Sequence, residues 1–363
     1  MANPLEQVAW ESCVLERGRD RALESYSRQR WGFPSPSVPY FVPVPWVVRA
    51  MVDLHPEYGL LMHLDQSLAD LVVLVVSQEN SCRFCYAAVR ALLWSQGLGR
   101  ARIERMEHDF TRADLSPRTL AAIAFGRSQS RRGPVDARAA REALLGAGFS
   151  PAELKEIAFV VANTDFSNRL HTLPAIPVHR IERLPERLHT RLIRPVLRRI
   201  FTWRRHRGRP TPLEREPSYP LARLVKSYAD SPIAPALGRS LEEMWASPVL
   251  GRRCKLLMFA VVARGLSCDA CASELHEALR QEGIKDDTLT HVLTHLDAPE
   301  LDPIERVLVP FARETIWYEP AALQRRARAL KDRLTTPQLV EAIGVASLAN
   351  GLCRLGPMVL DHA

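Results

Sequence analysis

The amino-acid sequence predicts an all-α protein made of two tandem copies of one helical-bundle module, and three observations carry that prediction. Two Cys-x-x-Cys pairs, Cys82 with Cys85 and Cys268 with Cys271, superpose when the chain is slid so that Cys82 falls on Cys268, a shift of 186 in the numbering. The same ungapped shift sets Val75 on Val261, Val76 on Val262, Ser81 on Ser267, Leu93 on Leu279 and Gly97 on Gly283. It continues through Leu115 on Leu301, Pro117 on Pro303, Phe125 on Phe311, Arg127 on Arg313, Pro151 on Pro337 and Ile157 on Ile343. A register kept over about 80 residues marks a duplicated unit, because scattered motifs do not stay in step. Third, no alternating apolar and polar strand pattern recurs between the matched positions.

Taken along the chain, residues 1–44 form a Pro-rich lead with Pro34, Pro36, Pro39 and Pro43, not expected to be one regular element. The first module runs from Pro45 to Leu170. Residues 171–218 connect it to the second module, which spans 219–363. Inside the modules, helix starts are marked by Ser116-Pro117, Asp302-Pro303, Ser150-Pro151 and Thr336-Pro337, a capping residue followed by a proline whose missing N–H costs nothing in a first turn. Gly97 with Gly99, Gly146 with Gly148, and Gly283 mark helix ends. The run Leu71-Val-Val-Leu-Val-Val76 is β-branched and competes as a buried strand, which before Cys-x-x-Cys would be a thioredoxin-like order. Its counterpart Lys255-Leu-Leu-Met-Phe-Ala-Val-Val262 consists mostly of good helix formers and no βαβ series surrounds either pair, so both are assigned to buried helices.

Composition bounds the function class. The chain has 363 residues, 47% hydrophobic and 25% charged, which is globular. No apolar leader or membrane span is visible, so a cytoplasmic location is expected, where thiols stay reduced and Cys-x-x-Cys reads as chemistry or metal binding. The net charge of +8 is concentrated in an arginine-rich segment from Arg180 to Arg209. With no aromatic stacking series or nucleic-acid motif beside it, that segment is expected to be a solvated face or linker, and neither nucleic acid nor membrane is an expected partner. Cys13, Cys254 and Cys353 stand alone and read as small buried hydrophobes.

Cysteines three apart share one helix face and close to a disulfide with little movement. At a helix start, unpaired N–H groups and the positive end of the dipole favour a thiolate, the species that attacks peroxides and disulfides, and the neighbouring sulfur then resolves the product. Two other readings stand beside this one. A zinc site would need both pairs to meet across an interface, since the stretch between Cys85 and Cys268 is far longer than a ribbon spacing. Alternatively, the pairs are unreactive buried residues in a degenerate tandem scaffold that binds partners.

The run from Leu68 to Leu92, with Asp70 and Ser81-Cys-Arg-Phe-Cys-Tyr86, resembles the alkylhydroperoxidase D-like family, also called the carboxymuconolactone decarboxylase superfamily. Leu115-Ser-Pro117, Ser150-Pro-Ala-Glu-Leu154 and Asn168-Arg169 extend the resemblance. It implies an all-α bundle that oligomerises, so a tandem chain would supply an internal pseudo-dimer. It also implies a thiol-dependent antioxidant oxidoreductase acting on a hydroperoxide or disulfide, re-reduced by a dithiol electron-donor protein, with no cofactor and no metal. The family's relay joins an acid twelve positions before the first cysteine, both cysteines, and a histidine four after the second. Here the first copy offers Asp70, Cys82 and Cys85 but Val89 at the histidine position; the second offers Cys268 and Cys271 but Leu256 and Leu275 at the acid and histidine positions. His276, one residue beyond, is the substitute base expected in the second copy. By resemblance Cys85 and Cys271 attack while Cys82 and Cys268 resolve. Decarboxylation is not expected, since members performing it lack the paired cysteines.

Overall fold

In the computed structural model every regular element among the described residues is a helix. Described are residues 4–32, 35–56, 59–110, 114–130, 137–178, 182, 192, 194–196, 199 and 208–360. The Pro-rich lead holds two separate helices, α1 (Arg21–Trp31) and α2 (Val38–Phe41), and α3 (Pro45–Asp53) begins directly after it. There follow α4 (Gln66–Glu79), α5 (Arg83–Ser95), α6 (Arg100–His108), α7 (Pro117–Ser130), α8 (Ala137–Gly146) and the long α9 (Pro151–Thr172). Beyond the connecting segment come α10 (Ala222–Lys226), α11 (Ile233–Ala246), α12 (Arg252–Gly265), α13 (Asp269–Gln281), α14 (Asp286–His295), α15 (Pro303–Glu314), α16 (Pro320–Leu330) and α17 (Thr336–Val359). Most of the arginine-rich segment lies outside the described residues. Arg194, inside it, sits over the Trp94 ring and donates to the Trp94 and Leu98 carbonyls.

The β-branched run of α4 is helical because its apolar side chains are wanted on every side: Val72, Leu74, Val75 and Val76 are all fully buried. In α12 the stretch Lys255–Ala263 is likewise buried throughout. Both helices turn the same corner. Cys82 N–H bonds the Ser77 carbonyl at 3.0 Å and Cys268 N–H bonds Ala263 at 2.9 Å, while Ser81 and Ser267 both take a left-handed φ of 51°. A non-glycine residue at positive φ is uncommon, so its recurrence at the matched position of the second half is a backbone signature rather than a sequence coincidence. The bounds of α4 and α12, and of α5 and α13, differ by the same 186.

The last long helix departs from that register by one residue. Ser150 and Thr335, 185 apart, are the N-caps of α9 and α17, each closing a capping box with Glu153 and Gln338. The expected cap Thr336 is instead the first helical residue. Glu156 and Glu341, also 185 apart, are buried carboxylates that hold the loops entering α4 and α12. Glu156 accepts from the N–H groups of Met62, His63 and Leu64, and Glu341 from Leu250 N–H and Trp46 Nε1. Pairing Pro151 with Pro337 and Ile157 with Ile343 therefore aligns residues that are not structurally equivalent.

One hydrophobic cluster runs through both halves of the chain, from Val14 to Leu360. Its centre is α9 packed along α17, where a Cβ on Gly351 would come within 2.7 Å of the Ala162 carbonyl, so the two helices touch backbone to backbone. A smaller cluster of Leu74, Val75, Tyr86, Val89, Leu93, Trp94 and Met106 fills the outer side of α4 and α5. Thr336–Val359 is the one described helix long and apolar enough to cross a bilayer, and its apolar window is entirely buried inside the protein.

Candidate active site

Cys82 occupies the N-cap of α5, and its Sγ accepts from Cys85 N–H at 3.4 Å. That places the sulfur where the first turn leaves N–H groups unpaired. Cys85 follows on the same helix face, half-buried where Cys82 is fully buried. Burial by itself would push the Cys82 thiol up. Hydrogen bonds from the Cys85 thiol, the Cys85 N–H and the hydroxyls of Thr172 and Tyr318 outweigh it and hold Cys82 below the usual thiol range. Cys85 moves the other way, raised first by desolvation and then by donating to Cys82. Ionisation of the pair is thus favoured on the inner sulfur, and the outer one holds its proton more tightly.

The imidazole that α5 lacks comes from another helix. His171, in the last turn of α9, sets Nδ1 3.7 Å from Cys85 Sγ and 2.6 Å from the Ser167 carbonyl. A carbonyl only accepts, so Nδ1 carries the proton and faces the sulfur as a donor, not a base. The ring stacks on Phe84 at 4.3 Å and meets Phe41 edge-on. Desolvation, with His55 nearby, lowers its pKa to about 4, so it is neutral at physiological pH.

Of the residues singled out from sequence, Cys82 and Cys85 come together with His171, Thr172 and Tyr318. Asp70 is fully buried on α4 and is not among the groups that set either thiol. Val89, one turn beyond Cys85 on α5, packs into the outer apolar cluster. His171, Thr172 and Tyr318 left no signal in the sequence, since a lone histidine at the end of a helix and a tyrosine from the other half acquire meaning only through packing.

The second pair is arranged differently. Cys268 and Cys271 are joined in a disulfide, both sulfurs buried, with Cα atoms 5.4 Å apart. Cys268 makes no capping hydrogen bond to α13. In the register of the helix caps, Gly356 and Pro357 stand where the first half has His171 and Thr172, and a Cβ on Gly356 would meet the two sulfurs at 2.5 and 2.7 Å. The backbone of α17 thus seals this disulfide with neither imidazole nor hydroxyl. His276 is half-buried on α13, and its charged neighbours are Arg280, Asp286 and Arg264 rather than the sulfurs. Among the described residues no cluster could hold a metal ion. Cys254 and Cys353 are buried, with thiols pushed up by desolvation.

Comparison with known proteins returns no matching family model, no matching curated protein and no matching solved structure.

Proposed function

We propose that the chain is a thiol-dependent oxidoreductase, a peroxidase or disulfide reductase, working through Cys82 and Cys85 alone. The carrying observation is the contrast between the two pairs: one is a free dithiol whose inner sulfur is the more readily ionised and whose outer sulfur is only partly buried, the other a sealed disulfide. In this reading the chain is a divergent tandem member of the alkylhydroperoxidase D-like family, an internal pseudo-dimer whose second copy has become structural. The repeated corner at Ser81 and Ser267 and the shared helix bounds support the duplication.

The reaction follows from where charge and access lie. Cys85, the sulfur nearer solvent, attacks the oxidant while its proton passes to the Cys82 thiolate beside it. With a hydroperoxide, the O–O bond breaks, Cys85 becomes a sulfenic acid and the departing alkoxide is protonated to an alcohol. Cys82, a thiolate again once its proton has gone to that alkoxide, then displaces hydroxide from Cys85; the hydroxide takes a proton from solvent to leave as water, and the pair ends as a disulfide. His171 Nδ1–H steadies the transient charge on Cys85. A dithiol donor returns the pair to its starting state.

The test is stopped-flow oxidation of the reduced protein by cumene hydroperoxide and by a small aromatic disulfide. The expected result is one disulfide formed between Cys82 and Cys85, abolished in Cys85→Ser and unchanged when Cys268 and Cys271 are both replaced by Ala. A Cys85→Ser variant that reacts like the parent with both oxidants rules the reading out and leaves the tandem scaffold.

A further inference from the structure

Leu192 and Val196, in the stretch that connects the two halves, are large aliphatic side chains left 73% and 58% exposed. Both are helical, as are Arg194, Pro195 and Arg199, and positions 192, 195, 196 and 199 fall on one face of a helix. All four are exposed, whereas Arg194, on the opposite face, is half-buried. A surface helix ordinarily does the reverse, turning its aliphatic side chains to the core and its arginines to water. Here the arginine is what meets the body of the protein: the Arg194 guanidinium lies 5.0 Å over the Trp94 ring and donates to the Trp94 and Leu98 carbonyls. Two further points tie the stretch down, the ion pair of Glu182 with Arg83 at 3.1 Å and the bond from Gly208 N–H to the Leu61 carbonyl at 2.8 Å. A solvated linker, the expectation for this stretch, gains nothing from showing leucine and valine to water.

We propose that this outward face is a docking surface for an anionic lipid membrane, with Leu192, Pro195 and Val196 set into the boundary between headgroups and acyl chains and the neighbouring arginines among the lipid phosphates. Charge argues for the partner. No aspartate or glutamate falls between Glu186 and Glu214, while arginine recurs from Arg187 to Arg209, and Ile200, Phe201 and Trp203 add apolar residues to the same run. Aliphatic and aromatic residues mixed with arginine, and no acidic residue among them, suit a negatively charged interface. Geometry narrows the choice further. Because the Arg194 side is engaged on Trp94, the helix offers one face only, which a flat surface can take, whereas an acidic groove that wraps a basic helix would need it released from the body. Nucleic acid would neutralise the arginines but gives Leu192 and Val196 no apolar surface to bury against. The inference goes beyond the thiol chemistry and does not depend on it.

The experiment is co-sedimentation of the full chain with vesicles of phosphatidylcholine alone and of phosphatidylcholine mixed in equal parts with phosphatidylglycerol. The expected result is binding to the mixed vesicles, weakened by added salt, and none to the neutral ones. Leu192→Ser combined with Val196→Ser, two exposed positions whose loss leaves the core untouched, should weaken binding roughly tenfold or more. Arg199→Gln should weaken it roughly fivefold, the worth of one basic residue at an anionic surface. A parent chain that stays in the supernatant with both vesicles overturns the proposal, all the more plainly if it is retained by single-stranded RNA instead. Binding that the double serine variant leaves unchanged overturns it as well, since charge attraction alone would then hold the protein.

Discussion

Arg169 and Arg354 hold the two halves together by reciprocal contacts. Arg169 in the first half donates to the Thr315 carbonyl of the second, and Arg354 in the second donates to the Gln129 carbonyl of the first, at 3.3 Å. Gln129 and Thr315 fall on one another under the shift that superposes the cysteine pairs, so each arginine reaches across to the matching point of the other half. Both arginines face Asp165, Arg169 by a direct hydrogen bond at 3.1 Å and Arg354 more loosely at 3.5 Å. Asn80 Nδ2 supplies a further donor to the same carboxylate at 2.8 Å.

The two arginines should differ in cost. Arg169→Met strips Asp165 of its closest cation and three carbonyls of a donor, so a loss of about 3–5 kcal/mol is expected. Arg354, whose basicity burial lowers to about 10, is the looser partner, and Arg354→Met should cost clearly less. Equilibrium unfolding in urea measures both; equal losses would contradict the assignment of Arg169 as the principal partner.

His171 predicts an acid-sensitive stability. Its imidazole is neutral in the folded protein down to about pH 4, whereas in the unfolded chain it takes a proton near its ordinary value of 6.5. Between those values the unfolded state holds more protons, so native stability falls as pH falls across that window. At about 1.36 kcal/mol per pH unit the loss reaches roughly 3 kcal/mol by the lower end. Denaturant midpoints followed from neutral to mildly acidic pH should show this slope, and His171→Phe, whose ring can keep the stack on Phe84, should lose that part of it.

Gly356 admits no side chain. A methyl group there would press on both Cys268 and Cys271 sulfurs, so Gly356→Ala should cost about 1–3 kcal/mol through overpacking and loosen the seal. The check is thermal unfolding together with reduction by a phosphine. The parent disulfide should resist the reductant in the folded state because both sulfurs are buried, and the variant's should yield faster.

Alkylation should order the thiols by access. Cys85 is half-buried, while Cys82, Cys254 and Cys353 are buried. Cys13 is also half-buried, with its thiol raised by desolvation. Mass spectrometry of the native protein treated briefly with iodoacetamide should find Cys85 labelled ahead of the three buried thiols, and prior labelling of Cys82 would reverse the roles assigned to the two sulfurs.

By itself the sequence determined the helical class, the duplicated cysteine corner and most helix starts, because these depend on local terms: apolar periodicity, Ser or Asp before Pro, and a fixed spacing of 186. It misled at α9 and α17, where an ungapped shift paired prolines while the caps and buried carboxylates of the structure are 185 apart, a slip visible only once Glu156 and Glu341 hold their loops. It also sought a histidine on the cysteine helix itself. Only tertiary structure decided that one pair is open and the other sealed, since the difference rests on which side chains α9, α17 and the Tyr318 segment bring against each sulfur. Donors gathered from separate parts of a chain leave no periodicity behind, and they act on a thiol only when packing brings them within bonding distance and removes the water between them.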